Sequence, residues 1–183
     1  MNKNEKMWCH HLVRAAIGDQ LKKNIFPNFR ELLAQRVHLS PSLDQALGNF
    51  VTLKIDGELR GCIGKVEADV PLWQGLIHNA IASAFHDPRF ESLQVDEFDF
   101  IEYQISILSK ITVVSSLEKI EVGVHGLIAE QAGKRGLLLP QVPIEWNWDK
   151  QQYLEQVCIK AGLSACAWQD PSTKFYSFTA DVF

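Results

Sequence analysis

The residues with the clearest chemical potential lie in the segment Arg60-Gly61-Cys62-Ile63-Gly64. A thiol can act as a nucleophile or a redox group, an arginine can hold an anion, and glycines let a ligand approach the backbone closely. In a structural interpretation, the glycines allow a bulge or a tight bend, the cysteine is a small buried side chain and the arginine pairs with a carboxylate. Both interpretations stay open. Cys62 is the candidate reactive group, and the candidate ligand contacts are Arg60, Gly61 and Gly64.

A second group of candidate residues lies in the segment His86-Asp87-Pro88-Arg89-Phe90. Asp87 can accept hydrogen bonds from local backbone N–H groups and Arg89 can pair with an acid, which would be ordinary chemistry at the end of a helix. If that helix runs back towards Cys62, the same two side chains would face a ligand beside the thiol. Asp87 and Arg89 are therefore candidate ligand-binding residues, with the structural interpretation as the alternative.

A histidine offers a partner for the thiol. His125 stands in the segment Gly123-Val124-His125-Gly126, where glycines again let the backbone approach another group closely. A neighbouring imidazole lowers the pKa of a thiol and can accept its proton, so Cys62 and His125 are a candidate nucleophile and base. The sequence does not fix the distance between them, and a turn histidine with a purely structural role is the alternative.

A β-hairpin must position Cys62. Residues 50–55 alternate between two faces, which is typical of a strand with one buried face. Asp56-Gly57 then predicts a type I′ turn, because both central residues of that turn need a positive φ. The return strand, Glu58–Cys62, should lie antiparallel to the first and carry Cys62 at its far end.

Another strand is predicted from Phe100 to Leu108. Its odd positions are aliphatic or aromatic, whereas Glu102, Gln104 and Ser106 alternate with them and should share one polar face. Such a face would line whatever cavity the sheet offers. Glu102 and Gln104 are therefore further candidate ligand-binding residues.

Helices, a second hairpin and a closing strand complete the predicted elements. Longer helices are expected over Glu5–Asn24, from Pro71 to Phe85 and from Asp149 to Ala161, and shorter ones over Phe29–Ala34 and Ser42–Leu47. The strands are expected over Val122–Glu130, Arg135–Leu139 and Lys174–Phe183. Pro140–Pro143 is expected to be extended, with Trp146 and Trp148 anchoring it. The resulting fold class is α+β, with helices packed on a largely antiparallel sheet.

Several segments in the same order resemble the AMMECR protein family, whose prokaryotic members are called AmmeMemoRadiSam system protein A. The segment Leu59-Arg60-Gly61-Cys62-Ile63-Gly64 resembles the family's hallmark hexapeptide. The other matching segments are Ala84–Phe90, Ile105–Leu108, Gly123–Ile128, Gly136–Val142 and Lys160–Leu163. One departure is Gln104, where the family pattern has a glutamate, although Glu102 lies on the same face of the predicted strand.

The resemblance implies an α+β fold with a larger and a smaller subdomain, packed into a single domain over residues 1–183. It points to no settled biochemical activity, and the cofactor is unknown. Many prokaryotic relatives are encoded with a Memo-like protein and a radical S-adenosylmethionine protein, so proteins of these two kinds are candidate partners.

Composition and charge argue against several classes of function. The net charge of −4 and the pI near 5.8 disfavour a nucleic-acid-binding surface, which is normally basic. No apolar run is long enough for a membrane span or a secretory signal, so we expect a cytoplasmic protein. The four cysteines are scattered without a C-x-x-C pair, which indicates free thiols and no metal site. The common motifs of nucleotide-binding proteins, serine hydrolases and zinc proteases are absent.

The leading expectation is a cleft around Arg60–Gly64 that binds a ligand or performs catalysis. The residues expected to approach it are Asp87, Arg89, Gln104 and His125. In an enzyme, the thiol would be the nucleophile or redox group, the imidazole its proton acceptor and the Arg60 guanidinium an anion anchor. The alternative is a binding or adaptor module whose groove holds a peptide, a nucleotide or a partner protein. The sequence names no substrate.

Overall fold

The structure, a computed structural model, describes residues 1–21, 29–35 and 41–183. Within these ranges the chain forms five α-helices and eight β-strands. The helices are α1 (Lys3–Gln20), α2 (Phe29–Gln35), α3 (Leu72–Phe85), α4 (Val142–Glu145) and α5 (Lys150–Lys160). The strands are β1 (Asn49–Ile55), β2 (Glu58–Lys65), β3 (Glu102–Leu108), β4 (Thr112–Val113), β5 (Gly126–Gln131), β6 (Lys134–Leu138), β7 (Lys174–Phe178) and β8 (Ala180–Val182).

The strands form two four-stranded sheets, and the chain divides into two units. The first unit comprises residues 1–108 and 181–183, and the second comprises residues 109–180. Each unit has its own hydrophobic core. The predicted α+β class with largely antiparallel strands is confirmed. That the two units pack into one domain stays a prediction.

In the first unit, the strand order is β2-β1-β3-β8, and the core lies between this sheet and the helices α1 and α3. The first helix begins at a capping box, in which Asn2 and Glu5 each accept a hydrogen bond from the other's backbone N–H. The apolar stripes of both helices meet the inner face of the sheet, where Val51 and Leu53 are fully buried. This packing leaves the opposite face of the sheet to the polar residues of β1, β2 and β3.

The predicted hairpin is present as β1 and β2. Asp56 and Gly57 have φ angles of 52° and 79°, the positive values that a type I′ turn needs. The return strand continues beyond its predicted end at Cys62 to Lys65. The whole segment that contains the thiol therefore lies within one β-strand.

The pairing of β1 and β2 contains one β-bulge. Leu53 lies opposite Gly61, whereas Lys54 lies opposite Leu59, so Arg60 is the extra residue in β2. A bulge of this kind bends its strand and changes the direction of the side chains beside it. A bulge in this segment is what the structural interpretation of its glycines expects.

In the second unit, the strand order is β4-β7-β5-β6, and α5 packs against β5 and β6. The turn between β5 and β6 has positive φ angles at Ala132 and Gly133, 51° and 78°, so it repeats the geometry of the first hairpin. The helix α5 begins at a capping box formed by Asp149 and Gln152. The fully buried Tyr153 is the largest side chain of this core.

The structure differs from the predicted strands in three places. The predicted closing strand Lys174–Phe183 is two strands, β7 and β8, which belong to different sheets. The strand β5 begins only at Gly126, because residues 122–124 form a turn. The segment Pro140–Pro143, expected to be extended, is not: Pro140 and Gln141 form a turn, and α4 begins at Val142 with Pro143 in its first turn, a position that suits proline.

The helices agree more closely with their predictions. The predicted first helix, Glu5–Asn24, is present as α1, although its last predicted residues lie outside the described part of the chain. The helix after Pro71 ends at Phe85 as predicted, since Pro88 disfavours helical geometry at the residue before it. The expected helix over Ser42–Leu47 is a single 3-10 turn at Pro41–Asp44. Among the described residues, no helix has both the length and the apolar character needed to cross a membrane.

Candidate functional site

Cys62 lies on the face of the first sheet that points away from the helices. Its neighbours in register are Thr52 in β1 and, beyond it, Gln104 in β3. Residues paired in this way share one face of the sheet. Thr52 Oγ1 and Cys62 Sγ lie 3.1 Å apart, which is hydrogen-bond distance for a thiol. In the next row of the same face, Lys54 lies opposite Glu102. We call this surface, made of Thr52, Lys54, Cys62, Glu102 and Gln104, the polar face.

The polar face combines exposed and partly buried groups. Glu102 and Gln104 are exposed, whereas Thr52 and Cys62 are partly buried. The structure therefore places the thiol and the two polar side chains predicted on β3 on the same side of one sheet.

Two polar side chains of α3, Asn79 and Ser83, bind the hairpin from the helix side, and we call them the polar stripe. Asn79 Nδ2 donates hydrogen bonds to the backbone oxygen and the side-chain oxygen of Asn49, at 3.0 and 2.7 Å. Ser83 Oγ donates to the carbonyl of Val51 at 2.7 Å and accepts from the backbone N–H of Ile63 at 2.8 Å. Residues four apart share one helical face, so this stripe fixes the position of the hairpin along the helix.

Asp87 continues the stripe just beyond the end of α3 and binds the backbone of Cys62. Its Oδ2 accepts a hydrogen bond from Cys62 N at 2.9 Å, and Arg89 Nη2 donates to Cys62 O at 3.2 Å. Arg89 also donates to both carboxylate oxygens of Asp87, through Nε at 2.9 Å and Nη2 at 2.7 Å. Because β2 is an edge strand, these two side chains bind backbone groups that an edge otherwise leaves unpaired. We call this pair the Asp87–Arg89 clamp.

The clamp is a charged pair with one buried and one exposed partner. Asp87 is 4% exposed, whereas the side chain of Arg89 is 53% exposed. The hydrogen bond from Arg89 lowers the pKa of Asp87 far below its usual range, although burial opposes this shift. The same bond raises the pKa of Arg89, although burial opposes this shift. The clamp is therefore fully ionised at neutral pH.

Arg60 is engaged with protein groups. Its Nε and Nη2 donate to the two carboxylate oxygens of Glu97 at 2.7 and 3.0 Å, and its Nη1 donates to Glu91 O at 2.9 Å. The hydrogen bond between them raises the pKa of Arg60 and lowers that of Glu97. A bidentate pair of this kind is among the stronger side-chain interactions. To act as the predicted anion anchor, Arg60 would have to exchange Glu97 for the ligand.

Gly61 and Gly64 both lie against internal groups. A Cβ atom added to Gly61 would be 2.1 Å from the carbonyl oxygen of Ser83, so only glycine lets α3 approach the strand this closely. A Cβ atom added to Gly64 would be 2.2 Å from the ring of Phe50. Internal packing therefore explains both glycines, and their contact with a ligand stays a prediction.

His125 belongs to the second unit and lies in the turn before β5. Its Nδ1 accepts a hydrogen bond from Glu121 N at 3.0 Å, and its backbone oxygen accepts one from Tyr153 Oη at 3.1 Å. Because Nδ1 acts as an acceptor, the proton of the neutral imidazole is on Nε2. The predicted role of His125 as a proton acceptor would therefore require this bond to Glu121 to break.

The other cysteines have different surroundings. Cys9 and Cys158 are buried, and burial raises their pKa values to about 12 and about 11. Cys166 is exposed, with its sulfur 3.1 Å from Ser164 Oγ. Within the described ranges, no cluster of three or more histidine, cysteine or acidic side chains could hold a metal ion.

Sequence reasoning missed three residues of the site. Thr52 was recognisable only as one polar position of a strand, and its contact with Cys62 depends on the register of the hairpin. Asn79 and Ser83 precede Asp87 at intervals of four, and this polar spacing on an otherwise apolar helix is the signal that could have identified them.

The fold and the site together define an α+β protein with two sheets and a cysteine on the polar side of an edge strand. The AMMECR1 family model matches residues 10–183. Protein NEQ441 of Nanoarchaeum equitans is 41% identical over 152 residues, which cover 79% of this chain and 84% of the relative. A protein of Methanothermobacter thermautotrophicus is 45% identical over 145 residues, or 76% of each chain. The chain therefore belongs to the AMMECR1 family.

A solved structure shows the same fold. The crystal structure of the uncharacterized protein PH0010 from Pyrococcus horikoshii matches with a TM-score of 0.77 and 37% identity. The match covers 96% of this chain and 90% of that one. The names of these relatives state no ligand or reaction.

Proposed function

We propose that the polar face is a ligand-binding surface and that Cys62 is its reactive thiol. The observation that carries this proposal is the Asp87–Arg89 clamp, which binds the N–H and the C=O of Cys62 at once. A backbone held at both ends gives the thiol a fixed position on the opposite side of the strand. Fixed positions of this kind are what a binding or catalytic group requires.

The groups around the thiol suit a cysteine nucleophile. The exposed guanidinium of Arg89 binds the backbone oxygen of Cys62 and places a positive charge beside this strand, which suits an anionic ligand. The hydroxyl of Thr52 is placed to donate a hydrogen bond to a thiolate. In this proposal, Glu102 and Gln104 contact the ligand from β3. Arg89, whose side chain is 53% exposed against 16% for Arg60, is the more accessible anion anchor.

The test is whether Cys62 reacts in the folded protein. Because Cys166 is also exposed, the experiment uses a Cys166→Ser background and compares it with the Cys62→Ser/Cys166→Ser double variant. We expect iodoacetamide to add one carbamidomethyl group to the first protein and none to the second, by intact mass. Peptide mapping should place the group on Cys62 and leave Cys9 and Cys158 unmodified. Modification of Cys62 only in denaturant would refute the proposal.

A second candidate function is ligand binding without chemistry. The observation that favours it is that, within the described part of the chain, Thr52 is the one side chain at hydrogen-bond distance from Cys62 Sγ. A small-molecule collection screened by thermal shift would supply a ligand, since binding to the folded state raises the melting temperature. A binding module should keep the shift in a Cys62→Ser variant, whereas a thiol enzyme should keep the shift and lose turnover of the same compound.

The family resemblance adds a partner proposal. Memo-like and radical S-adenosylmethionine proteins, acting with this chain in the cytoplasm, are the proposed partners. Co-expression of the tagged chain with one protein of each kind tests this proposal directly. If neither folded protein co-purifies with the chain, the partner proposal fails, while the proposal about Cys62 is unaffected.

A further inference from the structure

The second unit contains an aromatic groove that lies between α4 and α5. Its volume is about 450 Å³. Two indoles, Trp146 and Trp148, form one wall, and Gln156, Ile159 and Lys160 of α5 form the other. Small-molecule sites typically have volumes of about 300–1,000 Å³, apolar and aromatic walls and a few polar groups. The groove meets this description and has no part in the proposed chemistry at Cys62.

The two indoles form a stacked pair. Asn147 lies between them in the chain and has a left-handed backbone with φ of 51°, which turns both side chains to the same side. Their ring centroids are 6.1 Å apart and their planes are inclined by 18°. Trp148 packs on the core of the unit, as the sequence predicted, whereas Trp146 is 67% exposed. The expectation that Trp146 also anchors this segment is therefore wrong, and its ring is exposed to solvent beside the ring of Trp148.

The polar groups of the opposite wall have no hydrogen-bond or ion-pair partner among the described residues. Gln156 and Lys160 are four residues apart on α5 and so share the face that lines the groove. Within the described ranges, no hydrogen bond or ion pair is formed by the Gln156 amide or the Lys160 ammonium. An amide and a cation beside a flat apolar surface can therefore bind a ligand without first breaking an internal contact.

The charge of the groove indicates a ligand with one negative charge. Lys160 is the single charged residue of its lining. It stands in the last turn of α5, where the helix dipole presents partial negative charge. That helix end opposes any anion, and it opposes a phosphate, with nearly two negative charges, more strongly than a carboxylate, whose single charge matches one lysine. The exposed indole face prefers a flat ring by aromatic stacking.

We propose that this groove binds a small aromatic carboxylic acid. The ring of the ligand stacks on Trp146, supported from behind by Trp148. The carboxylate accepts hydrogen bonds from the Lys160 ammonium and the Gln156 amide. Ile159, which is 49% exposed, covers the edge of the ring.

The test uses 2-naphthoate as the probe and its neutral analogue 2-naphthamide as the comparison. The chain has five tryptophans, each with an indole N–H signal in a 1H–15N NMR spectrum, and Trp→Phe variants assign those of Trp146 and Trp148. We expect 2-naphthoate to shift these two signals saturably at millimolar concentration and to leave the other three unchanged. The absence of such shifts would overturn the proposal.

Charge variants test the anionic part of the proposal. Lys160→Gln should weaken 2-naphthoate binding at least fivefold and leave 2-naphthamide binding unchanged. The matched control is Lys110→Gln, at an exposed lysine of the same unit outside the groove, which should change neither. An unchanged spectrum elsewhere confirms that each variant is folded. Equal binding of acid and amide would overturn the assignment of a carboxylate.

Two other occupants would also overturn the proposal. If the Trp146 signal shifts with protein concentration in the absence of a probe, the groove is occupied by a second copy of the chain. If a proline-rich peptide shifts the same two signals at lower concentration than 2-naphthoate, the groove binds an extended peptide.

Discussion

Removing the Asp87 carboxylate tests whether the clamp holds the hairpin. In Asp87→Ala, Cys62 N loses its hydrogen-bond partner in a partly buried position, and Arg89 loses the group that orients it. A hydrogen bond to a charged group contributes about 1.5–3 kcal/mol, and a pair with an exposed partner adds about 0–1 kcal/mol. Because Arg89 is more than half exposed, water can replace much of its loss. We therefore expect the free energy of unfolding to fall by about 2–3 kcal/mol.

Equilibrium urea unfolding, followed by circular dichroism and tryptophan fluorescence, measures this change. The matched control is Asp69→Ala, which breaks the pair between Lys65 and Asp69, whose side chains are 62% and 68% exposed. Solvent screens a fully exposed surface pair of this kind, so its loss should hardly change the free energy of unfolding. If Asp87→Ala destabilises the protein no more than Asp69→Ala, the clamp does not hold the hairpin and the argument for a fixed thiol fails.

The pH dependence gives an independent check. Folding lowers the pKa of Asp87 below its unfolded value of about 3.9, so the carboxylate stabilises the fold above that pH. This contribution is lost as the pH falls from the unfolded pKa towards the folded one. The stability difference between the wild type and Asp87→Asn should therefore be constant near neutral pH and shrink below about pH 4. A constant difference down to pH 2.5 would contradict the assignment.

Three further predictions follow from the geometry. Gly61→Ala should lower the free energy of unfolding by more than about 2 kcal/mol, because the added Cβ would overlap the backbone of α3. Gly57→Ala should lower it by only about 1–2 kcal/mol, which is the strain of a positive φ. Urea unfolding of both variants measures this difference. Tyr153→Phe should cost about 1 kcal/mol, because one hydroxyl that binds two backbone carbonyls is lost, and a melting curve no different from that of the wild type would contradict this. At pH 9, Cys9 and Cys158 should stay unreactive towards 5,5′-dithiobis-(2-nitrobenzoate) until urea unfolds the chain, because burial raises both pKa values well above that pH.

The first hairpin could be predicted because its signals are local. Alternating side chains define the strand, and Asp56-Gly57 defines the turn. The second hairpin was predicted less well, since alternation alone does not show that a strand begins only at Gly126. The prediction of one closing strand was wrong for a related reason. Residues 176–182 alternate without a break, and only the tertiary structure shows that the segment contributes to two different sheets.

The sequence predicted which residues belong to the site better than it predicted the contacts between them. Asp87 and Arg89 were candidates beside Cys62 on the condition that the helix runs back to the hairpin, and α3 meets this condition. That they bind the backbone of Cys62 depends on β2 being an edge strand, which no local pattern shows. The exposure of Trp146 was missed because large aromatic residues are usually buried.

The additional residue at position 60 decides which side of the sheet carries the sulfur. In a ladder without the bulge, counted from the Asp56-Gly57 turn, Cys62 would lie opposite Val51. Its thiol would then point into the apolar core beside the helices. The bulge at Arg60 shifts the pairing register by one residue, so the thiol points to the opposite face of the sheet. A sequence that kept the hexapeptide but straightened this strand would hide its cysteine from every external molecule.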